Sequence, residues 1–312
     1  MSASPGSAVF AAVDWGTSSL RVWLLGPDGT VLGERRSREG MQVAAETGFR
    51  AILEDHLRAL DASSGLPVVI CGMAGARQGW VEAPYVETPA SFDELASGAI
   101  AVEGLTREVR ILPGVAQKAG GRPDVMRGEE TIVVGLAGGS DALVCLPGTH
   151  SKWVDVRERR IMGFSTFMTG ETYALLAGHS ILRHAIDGDV DILSERDAFA
   201  AGIEASIKAP DLTLNRLFAL RAAGLLGAAG TAESAARLSG LVIGLELAGA
   251  RRLHPGSETV RLAASGVMLD LYSTALGVAG FSYEAADADE AVRRGLFAAG
   301  RQLFPELAAS AR

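Results

Sequence analysis

The sequence predicts an α/β protein made of two similar domains that flank a cleft. Three observations lead there. At 312 residues the chain exceeds the size at which one hydrophobic core stops growing. Each half opens with three closely spaced strand patterns, and each meander is followed by alternating strand and helix signals.

In the first half, VFAAVDWG reads as a buried strand ending in a turn, and SLRVWLLGP as its neighbour. Pro27, Asp28 and Gly29 then turn the chain into TVLGERRSR. Connections this short require antiparallel pairing. GFRAILEDHLRAL (48–60) carries apolar residues at helical spacing, and LPVVICGMA is the continuous apolar run of a buried parallel strand. SFDELASGAIAVE reads as a helix with Ser91 as N-cap and Glu94 closing a capping box. EVRILPG is a fifth strand, and GEETIVVGLA opens a helix. The theme resumes near Ala142: ALVCLPGTH, SKWVDVRE and RRIMGFSTF form the second meander, and a helix starts at Thr169 or Gly170. Helical material then runs to about Leu253, followed by strand TVRLAASG, helix VMLDLYSTALGV, strand FSYEAA and a closing helix, DADEAVRRGLFAAGRQLF. The expected domains are 1–140 and 141–312, the second with a helical insertion. Duplication of this kind sets one glycine-containing turn from each half against the cleft, where ligands bind.

Composition narrows the function. A net charge of −8 argues against broad capture of nucleic acid or an acidic membrane. Cys71 and Cys145 sit in apolar runs and read as buried thiols. No apolar stretch reaches the length of a membrane span, and the first residues lack the pattern of a secretory signal, so a cytoplasmic protein is expected. A homodimer is left open. P-loop, dinucleotide-fingerprint, nucleophile-elbow and Cys-x2-Cys patterns do not occur.

Two turns carry the chemistry. In the first, Asp14, Gly16, Thr17 and Ser18 suit a nucleotide–metal site. Gly16 admits close backbone approach, turn N–H groups and the two hydroxyls face phosphate, and Asp14 holds Mg²⁺ through water. A plain hairpin turn is the alternative. In the second, Gly148, Thr149, His150, Ser151 and Lys152 again offer phosphate chemistry, with Lys152 as a point charge and His150 as either a donor or part of the turn.

DWGTSSLRVWLL, CGMAGARQGW with EAPY, PDVMRGEET, LPGTHSKWV and FMTGE occur in this order. Together they resemble the 2-dehydro-3-deoxygalactonokinase family, from about Val9 to Leu303. The resemblance implies the duplicated ribonuclease H-like fold of the actin/hexokinase type. It also implies ATP-dependent phosphorylation of the 6-hydroxyl of 2-dehydro-3-deoxy-D-galactonate, with Mg²⁺. Asp14–Ser18 then match the first phosphate motif and 148–152 the second. Ala264-Ser265-Gly266 match the adenosine motif, with Ser265 where a glycine is usual and Gly266 as a nucleotide contact.

Superfamily kinases place an acidic base at the start of the helix closing the first domain, which here points to Asp124 first and Glu129 second. Lys152 completes the catalytic set. Arg127 is a candidate to neutralise phosphate or the substrate carboxylate. Arg21, Arg77 and Gln78 are the expected clamp for a sugar-acid carboxylate. Glu171 reads as a helix cap. Kinases of a related acid such as 2-dehydro-3-deoxygluconate, and a non-catalytic ATP-binding regulator of the same fold, remain open alternatives.

Overall fold

The computed structural model describes residues 8–118, 121–138, 140–186, 190–256 and 259–306. The chain divides into two compact units. Unit 1 comprises 1–141, 156–163 and 288–312; unit 2 comprises 142–155 and 164–287. The first break falls where the second meander begins. The closing helix, expected within 141–312, belongs to unit 1.

Unit 1 opens with β1 (Phe10–Trp15), β2 (Leu20–Leu25), β3 (Val31–Ser37), α1 (Met41–Thr47) and α2 (Phe49–Ala59). After β4 (Val68–Gly72) come the short strands β5 (Tyr85–Glu87) and β6 (Ala90–Ser91), α3 (Phe92–Ser97) and β7 (Ile100–Ala101). Next are β8 (Val109–Ile111), β9 (Gly114–Gln117), β10 (Asp124–Met126) and α4 (Glu129–Ala137). The main sheet has the order β3-β2-β1-β4-β8-β7, with β1, β4 and β8 mutually parallel and the meander antiparallel. A small sheet, β10-β9-β5, lies apart from it.

Alternation along β1 explains the layering. Ala11, Val13 and Trp15 pack with Phe49, Ile52, Leu53 and Leu57 of α2 on one face of the sheet. Phe10 and Ala12 face Val292, Leu296 and Phe304 on the other. The second layer is supplied by α10 (Ala288–Leu303), which packs on α4 through glycines. A Cβ at Gly135 would stand 1.9 Å from the Ala291 carbonyl, and one at Gly295 2.0 Å from that of Thr131.

Unit 2 contains β11 (Ala142–Leu146), most of β12 (Ser151–Arg157), the second half of β13 (Arg160–Phe167), and α5 (Thr169–His179). The helical insertion is α6 (Arg196–Lys208), α7 (Thr213–Leu225) and α8 (Thr231–Leu253). β14 (Thr259–Ala264), α9 (Gly266–Val278) and β15 (Ser282–Asp287) complete it. Its sheet runs β15-β14-β11-β12-β13, with β14 parallel to both β11 and β15. Strand order thus mirrors unit 1: meander on one side, parallel strands on the other. The fold is the duplicated ribonuclease H-like arrangement expected from the resemblance.

Local differences have local causes. The capping box at Ser91 forms as expected. Its helix stops at Gly98, so Ile100 and Ala101 become a strand. Asp124, expected at a helix start, lies in β10, because Gly128 at φ 106° turns the chain and α4 starts only at Glu129, five residues later. No described helix is long and apolar enough to cross a membrane.

Gly295→Ala should unfold at a free energy lower by about 1–3 kcal/mol, the usual range for overpacking, read by thermal or denaturant melting. An unchanged melt would show that the α4–α10 contact is looser than described.

Candidate active site

In unit 1 three backbone segments meet at the carboxyl ends of β1 and β4, the edge at which open α/β sheets bind ligands. Glycines permit the meeting. A Cβ on Gly72 (φ 89°) would lie 2.6 Å from the Trp15 carbonyl, and one on Gly128, the N-cap of α4, 3.3 Å from the Gly72 Cα. The β1–β2 turn is braced from behind. Met41 and Gln42, at the start of α1, donate to the carbonyls of Gly16 and Thr17, which leaves the Thr17 and Ser18 side chains exposed.

This convergence gathers acids. The Asp14 carboxylate accepts the Cys71 thiol at 3.7 Å and the Arg21 guanidinium at 3.3 Å. Burial raises its pKa, Arg21 opposes the rise, and Asp289 and Glu129 add to it. Glu129 is therefore near enough to Asp14 to repel it. Its own carboxylate accepts the Arg127 N–H at 3.0 Å. Glu130 is buried, with both carboxylate oxygens on the Gly128 N–H. Burial, reinforced by Glu129, pushes its pKa up to about 8. Groups of this kind, displaced by burial and by one another, mark functional sites.

Other expected residues stand elsewhere. Asp124 turns its carboxylate to the adjacent Val125 N–H (2.8 Å) on the separate small sheet. Arg21 is not an open clamp: it bridges Asp14 and Asp289, the latter at 2.7 Å. Arg77 and Gln78 are exposed on the turn after β4, with Trp80 beyond them stacked on Phe49.

In unit 2 the 147–150 turn is set by α5. A Cβ at Gly170 would stand 2.6 Å from the Gly148 carbonyl, and Glu171 donates its N–H to the Thr149 carbonyl at 3.0 Å. The Glu171 side chain meets His150 at 2.5 Å. Thr149 and His150 are exposed, whereas Ser151 and Lys152 are buried. The Lys152 ammonium donates to the His150 carbonyl at 3.0 Å, holding the turn from inside.

Ser151 ends a buried relay. Glu246 accepts from Trp153 Nε1 at 2.8 Å, from the Thr169 hydroxyl, and from the Tyr272 hydroxyl at 2.7 Å. Having given its one proton to Glu246, Tyr272 accepts from Ser151, 3.0 Å away. The Ser151 proton is thus directed inward, and its oxygen is left to receive the Gly148 N–H at 3.4 Å. Ser151 shapes the turn; it does not donate outward. A cavity of about 510 Å³ adjoins the turn, lined by Gly148, Thr149, Glu171, Ala174, Leu175 and Met268. Gly148 and Gly266 have open space where a Cβ would stand, which suits backbone approach to a ligand.

The model of the 2-keto-3-deoxy-galactonokinase family matches residues 14–299. A Rhizobium meliloti protein named probable 2-dehydro-3-deoxygalactonokinase is 52% identical over 306 residues, covering 95% of this chain and 98% of the relative. The chain belongs to this family. An Escherichia coli 2-dehydro-3-deoxygalactonokinase is 32% identical over 291 residues, covering 93% of this chain and 97% of its own. A solved Sinorhizobium meliloti structure carrying the same activity name provisionally shares 50% identity and a TM-score of 0.91, over 95% of this chain and 99% of its own.

Within the family segment PDVMRGEET, the structure brings only the GEE end to Asp14. Sequence reasoning missed Cys71, Gly72, Gly170, Tyr272 and Glu246 as parts of the site, and it read Glu130 as one acid of the cluster at the helix start without singling it out. For the glycines, the legible signal was their place directly after a strand or before a helix. For Tyr272 and Glu246, isolated polar residues inside apolar helices were the only trace.

Glu130 makes stability depend on pH. Its folded pKa of about 8 lies above the ordinary 4.5, so between these values the folded protein holds a proton that the unfolded chain releases. Its contribution is full below pH 4.5 and is lost as pH climbs to 8. Glu130→Gln should flatten this decline, gaining on the wild type from pH 5 to 8 in thermal melts. Parallel profiles for the two proteins would contradict the assignment.

Proposed function

We propose that the chain transfers the terminal phosphoryl group of ATP to the 6-hydroxyl of 2-dehydro-3-deoxy-D-galactonate. Family membership supports the reaction. The observation that carries the site reading is the grouping of Asp14, Glu129 and Glu130 around the Gly72–Gly128 contact.

Phosphoryl transfer asks for positioning, charge neutralisation and a proton acceptor. Glu129 is our choice for the acceptor, taking the hydroxyl proton on a carboxylate oxygen as the oxygen attacks phosphorus. It is preferred to Asp124 because its charge is felt at Asp14, whereas Asp124 lies on the small sheet and bonds its neighbour's backbone. Asp14 fits a hydrated Mg²⁺: its side chain keeps 23% exposure within an otherwise closed setting. When bound, the ion supplies positive charge to the phosphates. Arg21 keeps Asp14 oriented. Gly16, Thr17 and Ser18 offer N–H and hydroxyl donors to phosphate, and Gly148, Thr149 and His150 do so in unit 2. Lys152 and Ser151 hold that second turn in shape, and Gly266 lies on the nucleoside side. A cytoplasmic location, with access to ATP, goes with this reading.

Coupled ADP release across a panel of 2-keto-3-deoxy sugar acids tests the reaction; turnover of ATP indifferent to all of them would overturn it. Glu129→Gln should lower kcat by about 100- to 10,000-fold, the usual worth of a general base, with KM for ATP little changed. Asp124→Asn should stay near wild type. The reverse ranking would return the role to Asp124.

A further inference from the structure

The guanidinium of Arg127 is half satisfied. Nη2 donates to the Ala83 carbonyl at 2.8 Å, and the group lies over the Tyr85 ring, 4.3 Å from its centroid. Nε and Nη1 are shut off from water and have no hydrogen-bond partner. Among the described residues these are the only buried side-chain nitrogens in that state. Glycine at position 75 makes room for the group, since a Cβ there would stand 3.0 Å from Nη1.

A buried cation is ordinarily paired, because leaving N–H donors unmet in a low-dielectric setting is costly. Other arginines of unit 1 obey the rule. Arg21 has Asp14 and Asp289, Arg36 has Glu34 and Asp289, and Arg107 has Glu54 and two carbonyls. Arg127 does not. Glu129 and Glu130 follow it closely in sequence, yet they bond the backbone N–H groups of Arg127 and Gly128, not the guanidinium. Its neighbours are one carbonyl, one aromatic face and a glycine, and Glu130 lies within reach of its charge without bonding it. The residue as a whole is only partly buried and the Tyr85 ring beneath it is exposed, so the guanidinium lies close to the surface.

We infer that Arg127, backed by Tyr85 and Gly75, binds the carboxylate of the acceptor substrate. The inference rests on the sugar-acid reading above and adds the residue that selects for the acid. Planar donors on guanidinium match a carboxylate, which an ammonium cannot imitate. Arg127 directly precedes Gly128 and Glu129, so the element that holds the substrate's acid end also carries the group proposed to accept its hydroxyl proton. The unmet donors are the kind of local inconsistency that proteins keep at functional sites.

The test uses Arg127→Met and Arg127→Lys, with 2-dehydro-3-deoxy-D-galactonate and its neutral carboxamide as probes. Arg127→Met should melt at or above the wild-type temperature without ligand, because it removes two buried nitrogens that have no hydrogen-bond partner. It should lose the stabilisation that the acid confers on the wild type. Its KM for the acid should rise at least 100-fold, while KM for ATP and for the carboxamide stay within about twofold, taking 1.4 kcal/mol per tenfold as the scale. Arg127→Lys should recover only part of the loss. Equal losses for acid and carboxamide, or an unchanged KM for the acid, would overturn the inference. If Arg127→Met does not fold, Arg127→Lys and the wild type's preference for acid over carboxamide decide: no preference overturns it. A wild type with no turnover of the acid sinks the sugar-acid reading and this one together. Normal wild-type turnover with an unaltered Arg127→Met sinks this one alone.

Discussion

Everything at the site in unit 1 depends on backbones lying closer than side chains would permit. Gly72 lets the end of β4 touch the Trp15 carbonyl, and Gly128 lets the start of α4 touch Gly72. Both adopt positive φ, which glycine tolerates without a Cβ penalty. With a side chain at either position the strand end and the helix start would separate. The influence of Glu129 on Asp14 would weaken with distance, and Glu130 would lose part of its burial.

Unit 2 repeats the device with different residues. Gly170, in the first turn of α5, rests on the Gly148 carbonyl, and the Thr149 carbonyl takes the next helix N–H. Here the polar groups that hold the turn are buried beneath it: Lys152, Ser151, Tyr272 and Glu246. Burial raises the pKa of Glu246, but bonds from Thr169, Tyr272 and Trp153 oppose the rise. A fully partnered buried network of this sort is rigid, and it specifies one conformation of the turn. In unit 1 Glu130 is equally buried, but Asp14 and Glu129 are only partly so, as suits the roles proposed for them.

Much of the fold was legible because burial leaves a period in the sequence. FAAVDW and VVICG are apolar on both faces and became β1 and β4 of the parallel core; residues 48–60 showed helical spacing and became α2. Short elements escaped. The β10-β9-β5 sheet has strands of three or four residues, too brief for any period to show. The closing helix was seen, but its membership in unit 1 was not, since small residues such as Gly295 say that something packs closely without saying what. The two turns were read from their residue types. The division of labour within them was not: Ser151 and Lys152 look like phosphate ligands until their burial is known. Arg21 likewise looks like a clamp until Asp289, 268 positions along, is found beside it.

The central claim is that the glycine contact buries Glu130 and brings Glu129 within electrostatic reach of Asp14. Carboxyl ¹³C NMR titration of glutamate-labelled wild type and Gly128→Ala reads this directly. The account expects one wild-type glutamate to titrate near pH 8, and to move toward the ordinary range in Gly128→Ala. Wild-type glutamates that all titrate at ordinary values, or a signal near pH 8 indifferent to Gly128→Ala, would contradict it.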